Sequence, residues 1–135
     1  MSARRAATAT AVVAALAGCG TPSADLFVIE RSGELPDARV TMVIGDGGAV
    51  ECDGTERSMS NDRLLEAREL ADDLAPLLAR RLRLPAPETG LLRYRILGEG
   101  GEIRFADASP RLPPELGRLV RFSRAVATEA CGLER

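Results

Sequence analysis

The sequence predicts an α+β domain, and three observations support this fold class. Two segments, near residues 61–82 and 114–130, carry apolar residues at helical spacing. Five shorter segments alternate apolar and polar residues, as half-buried strands do. Their order along the chain is β-β-β-α-β-β-α, without internal repeats. We therefore expect a two-layer sandwich, in which an antiparallel sheet of about five strands packs against two helices.

The first three strands are predicted over residues 25–31, 39–44 and 49–52. A three-residue loop with a glycine bulge would pair Ile44 with Val50 and Met42 with Cys52. A two-residue turn would instead mix apolar and charged residues on one face, so we prefer the first register. This register places Cys52 on the face that a helix would cover. Residues 54–59 are expected to be a connection.

A first helix is predicted from Ser60 or Asn61, either of which suits the N-cap, to about Leu82. Pro76 lies inside this segment. Proline lacks a backbone donor and clashes with the preceding turn, so we expect a kink or a break near Asp73.

The clearest hairpin is predicted between strands at residues 91–97 and 102–106. One register satisfies the alternation of both strands, because it sets Ile96 opposite Ile103 and Tyr94 opposite Phe105. Both apolar pairs then lie on the same face of the sheet.

The same register sets Arg95 opposite Arg104, and like charges in directly opposed positions are unfavourable. This pair needs a counterion, which could be Glu51, Glu102 or a bound anion. We therefore predict a candidate anion-binding surface at Arg93, Arg95 and Arg104. The alternative is a solvated arginine-rich face without a ligand.

The last helix is predicted to begin with Pro114 in its first turn. Gly132 is the candidate C-cap. Cys131 would then lie on or beside the buried side of this helix.

The N-terminal residues have the features of a bacterial secretion signal. Arg4 and Arg5 supply positive charge, and a run of Ala, Thr, Val and Leu follows them. The run ends at Leu16-Ala17-Gly18-Cys19, which resembles the lipobox of bacterial lipoprotein precursors. A transmembrane helix, the alternative interpretation, needs about 20 apolar residues, and Pro22 and Asp25 end this run too early.

The resemblance implies that Cys19 is lipidated and that the precursor is cleaved just before it. In such lipoproteins the thiol carries a diacylglycerol and the freed amine is often acylated, with chains such as palmitate, so two or three chains hold the protein at the membrane. We expect a signal peptide at 1–18, the lipidated cysteine with a short tether at 19–24, and one α+β domain at 25–135 on the outer face of the cell membrane.

Composition excludes several function classes. The chain contains no histidine, so classical catalytic triads and zinc sites are excluded, and we predict no metal and no cofactor. Removal of residues 1–18 leaves 16 arginines against 20 acidic residues, a negative balance that argues against a nucleic-acid partner. Every basic residue is arginine, a bias typical of GC-rich coding in high-GC Gram-positive bacteria.

The remaining cysteines form an even pair. With Cys19 consumed by lipid, Cys52 and Cys131 are left in an oxidising compartment, and we predict a disulfide between them. The alternative is two separately buried thiols. The chain contains no CxxC motif that would indicate redox or metal chemistry.

The domain also resembles small actinobacterial lipoproteins of unassigned function. The resemblance is carried by an early strand pair and by three short motifs, Cys52-Asp53-Gly54, Arg93-Tyr94-Arg95 and Cys131-Gly132-Leu133. It implies a fold and no activity.

Three function classes are compatible with these features. The first is a non-catalytic, membrane-anchored binding module facing the cell wall or a protein partner. The second is a protease inhibitor similar to secreted subtilisin inhibitors, although those have two disulfides and a cysteine-braced reactive loop. The third is a carboxylate-dependent wall hydrolase using Asp46, Glu51 and Asp53, which cluster near one predicted turn. We predict the first, and no enzymatic activity.

Overall fold

The structure is a computed structural model that describes residues 24–89 and 91–134. The predicted lipidation site at Cys19 and the signal peptide at 1–18 lie outside these residues. The elements in chain order are β1 (Asp25–Gly33), β2 (Val40–Gly45), β3 (Ala49–Cys52), β4 (Thr55–Ser58), α1 (Asn61–Ala79), β5 (Leu92–Gly98), β6 (Gly101–Ala106) and α2 (Pro114–Glu129). The α+β class is confirmed, with six strands in this part of the chain rather than about five.

The six strands form one sheet in the order β4-β3-β2-β1-β5-β6, and all neighbouring strands are antiparallel. β1 lies inside the sheet and pairs with β2 on one side and with β5 on the other. Both predicted registers are confirmed: Met42 lies opposite Cys52, and Arg95 lies opposite Arg104.

Strand β4 corrects the prediction of a connection over residues 54–59. Its four residues are all exposed and follow no apolar alternation, but their backbone pairs with β3, from Cys52 opposite Thr55 to Ala49 opposite Ser58. The turn between the strands uses Asp53 and Gly54, which have φ angles of 47° and 87°. Two successive positive φ angles match the right-handed twist of a tight hairpin.

Helix α1 begins as predicted, because the Ser60 side chain accepts a hydrogen bond from the Arg63 backbone N–H. The helix continues through Pro76 without a break. It ends at Ala79 rather than near Leu82, because Arg81 adopts a φ angle of 52° and redirects the chain.

The segment after α1 covers the β6 edge of the sheet. The Leu84 N–H donates to the Arg104 carbonyl at 2.9 Å, and the Arg104 N–H donates to the Leu82 carbonyl at 3.0 Å. Leu82 therefore packs against the core without being helical, which explains why the helical spacing of apolar residues extends this far.

Both helices pack on one face of the sheet, and the core lies between the two layers. The Phe27 ring on β1 contacts the Phe122 ring on α2 with centroids 6.0 Å apart. On the β5–β6 hairpin, the Tyr94 and Phe105 rings stack at 5.0 Å. The other largest fully buried side chains are Ile29, Val40, Met42, Ile44, Leu70, Leu74, Ile96, Ile103, Leu116 and Leu119.

The predicted disulfide is present and joins β3 to the chain just after α2. Cys52 and Cys131 are bonded, with their Cα atoms 5.7 Å apart. The C-cap of α2 is Ala130, and the predicted cap residue Gly132 follows two positions later with a φ angle of 70°. The left-handed conformation of Gly132 turns the chain away from the helix axis.

The helices formed by the described residues are too short or too polar to cross a membrane.

Candidate functional site

The helices cover one face of the sheet and leave the other face open, and this open face forms a groove. The groove has a volume of about 640 Å³. We call it the arginine groove. Its polar lining includes the carboxylates of Glu30 and Asp53 together with Ser32, Arg39, Thr41, Arg93, Arg95 and Arg104. Strand alternation brings these side chains together, because residues two apart on one strand point to the same face.

One row of side chains across the groove is held by internal ion pairs. Glu30 on β1 lies opposite Arg95 on β5, and Arg95 lies opposite Arg104 on β6. The Arg95 Nη1 atom contacts the Glu30 Oε2 atom at 3.0 Å. The Arg95 Nε atom contacts the Glu102 Oε2 atom at 2.8 Å. Arg95 is thus held by two carboxylates.

Glu102 is the centre of this ionic network. Its Oε1 atom lies 3.3 Å from Arg83 Nη2 and 3.3 Å from Arg104 Nε. The hydrogen bond from Arg95 lowers the pKa of the Glu102 carboxyl below its usual value, and the hydrogen bonds to Glu102 and then Glu30 raise the pKa of Arg95. The sequence left Glu51, Glu102 or a bound anion as the counterion of Arg95 and Arg104. In the structure, Glu102 forms ion pairs with both arginines.

Glu51 does not take part in this network. It lies on β3, opposite Val43 on one side and opposite Glu56 on the other. Two strands, β2 and β1, separate it from β5. The prediction that Glu51 could be the counterion of Arg95 and Arg104 is therefore wrong.

A second row of the groove is built differently. Ser32 on β1 lies opposite Arg93 on β5. On the other side of β1, Arg31 lies opposite Val40 of β2. Continuing this register by one residue places Arg39 beside Ser32. Arg39 and Arg93 are both exposed. Within the described part of the chain, the ion pairs of this face involve Arg83, Arg95 and Arg104, and none involves Arg39 or Arg93.

A buried arginine supports the backbone next to Arg39. Arg31 is only 2% exposed. Its Nε atom donates to the Ala38 carbonyl at 2.8 Å, and its Nη2 atom donates to the Asp37 carbonyl at 2.8 Å. Burial lowers the pKa of its guanidinium. Arg31 thereby fixes the connection between β1 and β2. Since Ala38 directly precedes Arg39, this contact also positions the backbone of Arg39.

The three carboxylates considered for catalysis do not form one cluster. Asp46 lies in the turn before β3 and Asp53 in the turn after it, so they are at opposite ends of this strand. The Asp46 Oδ1 atom accepts a hydrogen bond from Arg68 Nε at 2.6 Å, and the Asp53 Oδ1 atom accepts one from the Thr41 N–H at 2.8 Å. Within residues 24–89 and 91–134, no group of His, Cys, Asp and Glu side chains could hold a metal ion.

No protein-family model, curated protein or solved structure matches this chain. The fold and the site define its class as an α+β domain with one helix-covered face, one open face and a disulfide between the two layers.

Proposed function

We propose that the protein is a membrane-anchored extracytoplasmic lipoprotein whose α+β domain is a non-catalytic binding module. Acylated Cys19 is the anchor in this proposal, and the domain works at the outer face of the cell membrane, where it meets a cell-wall or protein partner. The observation that carries the proposal is the arginine groove, a depression of about 640 Å³ that is lined by both polar and apolar atoms, on the face that the helices leave open.

The partners of the acidic residues in the groove support binding rather than hydrolysis. Glu30 forms an ion pair with Arg95, and Asp53 accepts a backbone hydrogen bond from Thr41. A carboxylate that acts as a general acid or base must be able to exchange its proton with a substrate. Both of these carboxylates instead stabilise the sheet.

The direction of β1 supports a groove that faces away from the membrane. β1 begins at Asp25, directly after the tether that follows Cys19 in the sequence. The Ala24 carbonyl accepts a hydrogen bond from the Asp46 N–H at 2.9 Å, so the chain enters the domain beside the β2–β3 turn. Ser32 lies seven residues further along the strand, which corresponds to about 23 Å. The groove residues next to Ser32 then face the cell wall.

Site-specific photo-crosslinking tests this proposal in intact cells. A photoreactive amino acid replaces Thr41, which is exposed in the arginine groove, in the full lipidated protein. The matched control replaces Thr128, an exposed threonine on α2 in the helical layer. We expect a crosslinked ligand at position 41 and none at position 128, because the ligand occupies the open sheet face only.

Two results would contradict the proposal. Equal crosslinking at both positions would mean that the open face is not the binding surface. Absence of any adduct at position 41, with the protein correctly localised, would mean that the groove has no occupant. Since both side chains are exposed, neither substitution removes a contact of the core.

A further inference from the structure

The exposed cations of the arginine groove fall into two sets that differ in their partners. Arg95 and Arg104, together with Arg83, share the carboxylates of Glu30 and Glu102 within the described part of the chain. Arg39 and Arg93 are exposed and form no ion pair with residues 24–89 or 91–134. Arg39 and Arg93 are therefore the two groove arginines whose guanidinium groups have no carboxylate partner among the described residues.

These two arginines flank one serine hydroxyl. Arg39 precedes β2, Ser32 is on β1 and Arg93 is on β5, in neighbouring register positions. Neighbouring strands are about 4.8 Å apart, so the Cα atoms of the two arginines are separated by about 10 Å. Arginine side chains are long enough to converge from this separation on one group above Ser32.

The arrangement suits a phosphate better than a carboxylate. A guanidinium binds either anion with two parallel hydrogen bonds. A carboxylate offers only two oxygens, whereas a phosphate carried by a ligand offers three strong acceptor oxygens. Two guanidinium groups and the Ser32 hydroxyl can therefore all donate to one phosphate.

The surrounding charges give the ligand a direction. A second depression of about 420 Å³ also includes Ser32, Arg39 and Arg93, and its other side carries Glu34 and Glu88. These carboxylates repel an anionic chain. The arginine groove also contains Glu30, which is paired with Arg95, and the exposed Asp53 beside Thr41. A ligand bound by the two arginines therefore extends towards Arg104, on the β5–β6 side of the groove.

We infer that Arg39, Ser32 and Arg93 form a binding site for a terminal phosphate group, with three free oxygens, and that this phosphate is carried by a ligand chain rather than by the anchoring membrane. This inference rests on the proposed function and specifies the chemistry of the ligand. Arg95 and Arg104, predicted from sequence as part of an anion-binding surface, line the groove beside this site and keep their internal partners.

Calorimetric titration of the full chain, purified in detergent, tests the inference with two probes. Inorganic triphosphate, which has two terminal phosphates, represents the phosphate ligand, and citrate represents a polyvalent carboxylate. We expect triphosphate to bind more tightly than citrate. The double variant Arg39→Gln, Arg93→Gln should bind triphosphate about tenfold to a hundredfold more weakly, because hydrogen bonds to charged groups are lost. The control Arg121→Gln changes an exposed arginine on α2 and should bind as the parent does.

Reconstitution of the lipidated protein into phosphatidylglycerol vesicles distinguishes the two sources of phosphate. We expect the affinity for triphosphate to stay the same, because the site faces away from the membrane. Loss of triphosphate binding in vesicles would assign the site to lipid headgroups and overturn the inference. Unchanged affinity of the double variant, or tighter binding of citrate, would also overturn it.

The inference and the proposed function can fail separately. If the crosslink at position 41 persists while triphosphate binding does not depend on Arg39 and Arg93, the groove binds a ligand of other chemistry. If no crosslink forms at position 41 in a protein that has its native arginines, the proposed function fails. Because Arg39 and Arg93 are exposed and have no internal ion pair among the described residues, their substitution is not expected to impair folding.

Discussion

Arginine has three different roles in this domain, although the sequence alone does not separate them. Arg31 is buried and holds two backbone carbonyls. Arg95 shares its charge with two carboxylates. Arg39 and Arg93 face solvent without an ion pair to any described residue. In a chain whose basic residues are all arginine, the residue type carries little information, and the neighbours of each guanidinium decide what it does.

Substitution Glu102→Gln should lower the free energy of unfolding at neutral pH. It removes the carboxylate shared by Arg83, Arg95 and Arg104, and leaves their charges close together. The hydrogen bond from Arg95 holds the pKa of Glu102 below its ordinary value of 4.5. Its contribution to stability is therefore complete above that value and is lost as pH falls through the lower pKa of the folded state.

Urea unfolding at about pH 7 and at about pH 2.5 measures this effect. The difference between the parent and Glu102→Gln should be present at the higher pH and disappear at the lower one. Glu99→Gln is the control, since Glu99 is an exposed carboxylate in the neighbouring turn. The same difference at both pH values would show that the ionic network does not stabilise the sheet.

The sequence predicts some residue contacts better than others for a physical reason. The opposition of Arg95 and Arg104 depends on one short hairpin, whose register follows from local alternation. The row of Arg39, Ser32 and Arg93 depends in addition on the pairing of β1 with β5. Those strands are far apart in sequence, so no local pattern indicates that they are neighbours.

At the scale of elements, burial determines which parts of the prediction succeed. Strands with one buried face carry an alternating pattern, and these were predicted. β4 has four exposed residues and is a strand only because the edge of β3 offers backbone partners. Helix α1 is shorter than its apolar spacing predicts, because Leu82 packs against the core outside the helix.

The contact between α1 and β6 is close enough to require glycine at position 101. A Cβ atom on Gly101 would clash with the Leu78 carbonyl oxygen of α1. We expect Gly101→Ala to lower the free energy of unfolding by about 1–3 kcal/mol, because the helix must move away from the strand. Thermal or urea unfolding measures the change.

Gly117→Ala is the matched control for this substitution. Gly117 lies inside α2, and a Cβ atom there would meet only the Arg121 side chain, at 3.8 Å. Alanine is the better helix former by about 0.5–1 kcal/mol, so this variant should be more stable than the parent. Destabilisation of both variants to the same extent would argue against the close packing of α1 on β6.

The disulfide fixes α2 to the sheet at the end of the helix. The double substitution Cys52→Ala, Cys131→Ala opens a loop with a sequence separation of 79 residues. The chain-entropy model assigns about 4.5 kcal/mol to closing a loop of this size. We expect a loss of that order in the free energy of unfolding, measured with urea.

Reduction provides the control for this prediction. Dithiothreitol should destabilise the parent by a similar amount and leave the double variant unchanged. Two alkylatable thiols in the natively secreted protein, detected by mass spectrometry without reduction, would contradict the pairing.

At the scale of the whole molecule, the order of the strands is the part of the fold that local sequence patterns leave open. The predicted elements are compatible with several sheets. Among the strands that the structure describes, only the pairing of β1 with β5 joins the N-terminal strands to the second hairpin. This single long-range pairing also creates the arginine groove, because it brings Ser32 beside Arg93.

The proposed anchor is tested on the whole chain by mass spectrometry of its N-terminal peptide. In the mature protein we expect this peptide to begin at Cys19 and to carry acyl chains. Cys19→Ser should carry none, because serine lacks the thiol that forms the thioether. Ser23→Ala, in the predicted tether, should be processed as the parent is. A mature protein with an unmodified thiol at Cys19 would exclude the lipoprotein assignment.

The position of β1 has a mechanical consequence. This strand begins at the end proposed to face the membrane and ends beside the arginine groove, with hydrogen-bonded neighbours on both sides. Hydrogen bonds between antiparallel strands run perpendicular to the strands. A force between the anchor and a bound ligand therefore acts on all bonds of β1 together, in shear, instead of opening them one after another. In the anchored protein that we propose, the domain transmits force between the membrane and its bound ligand.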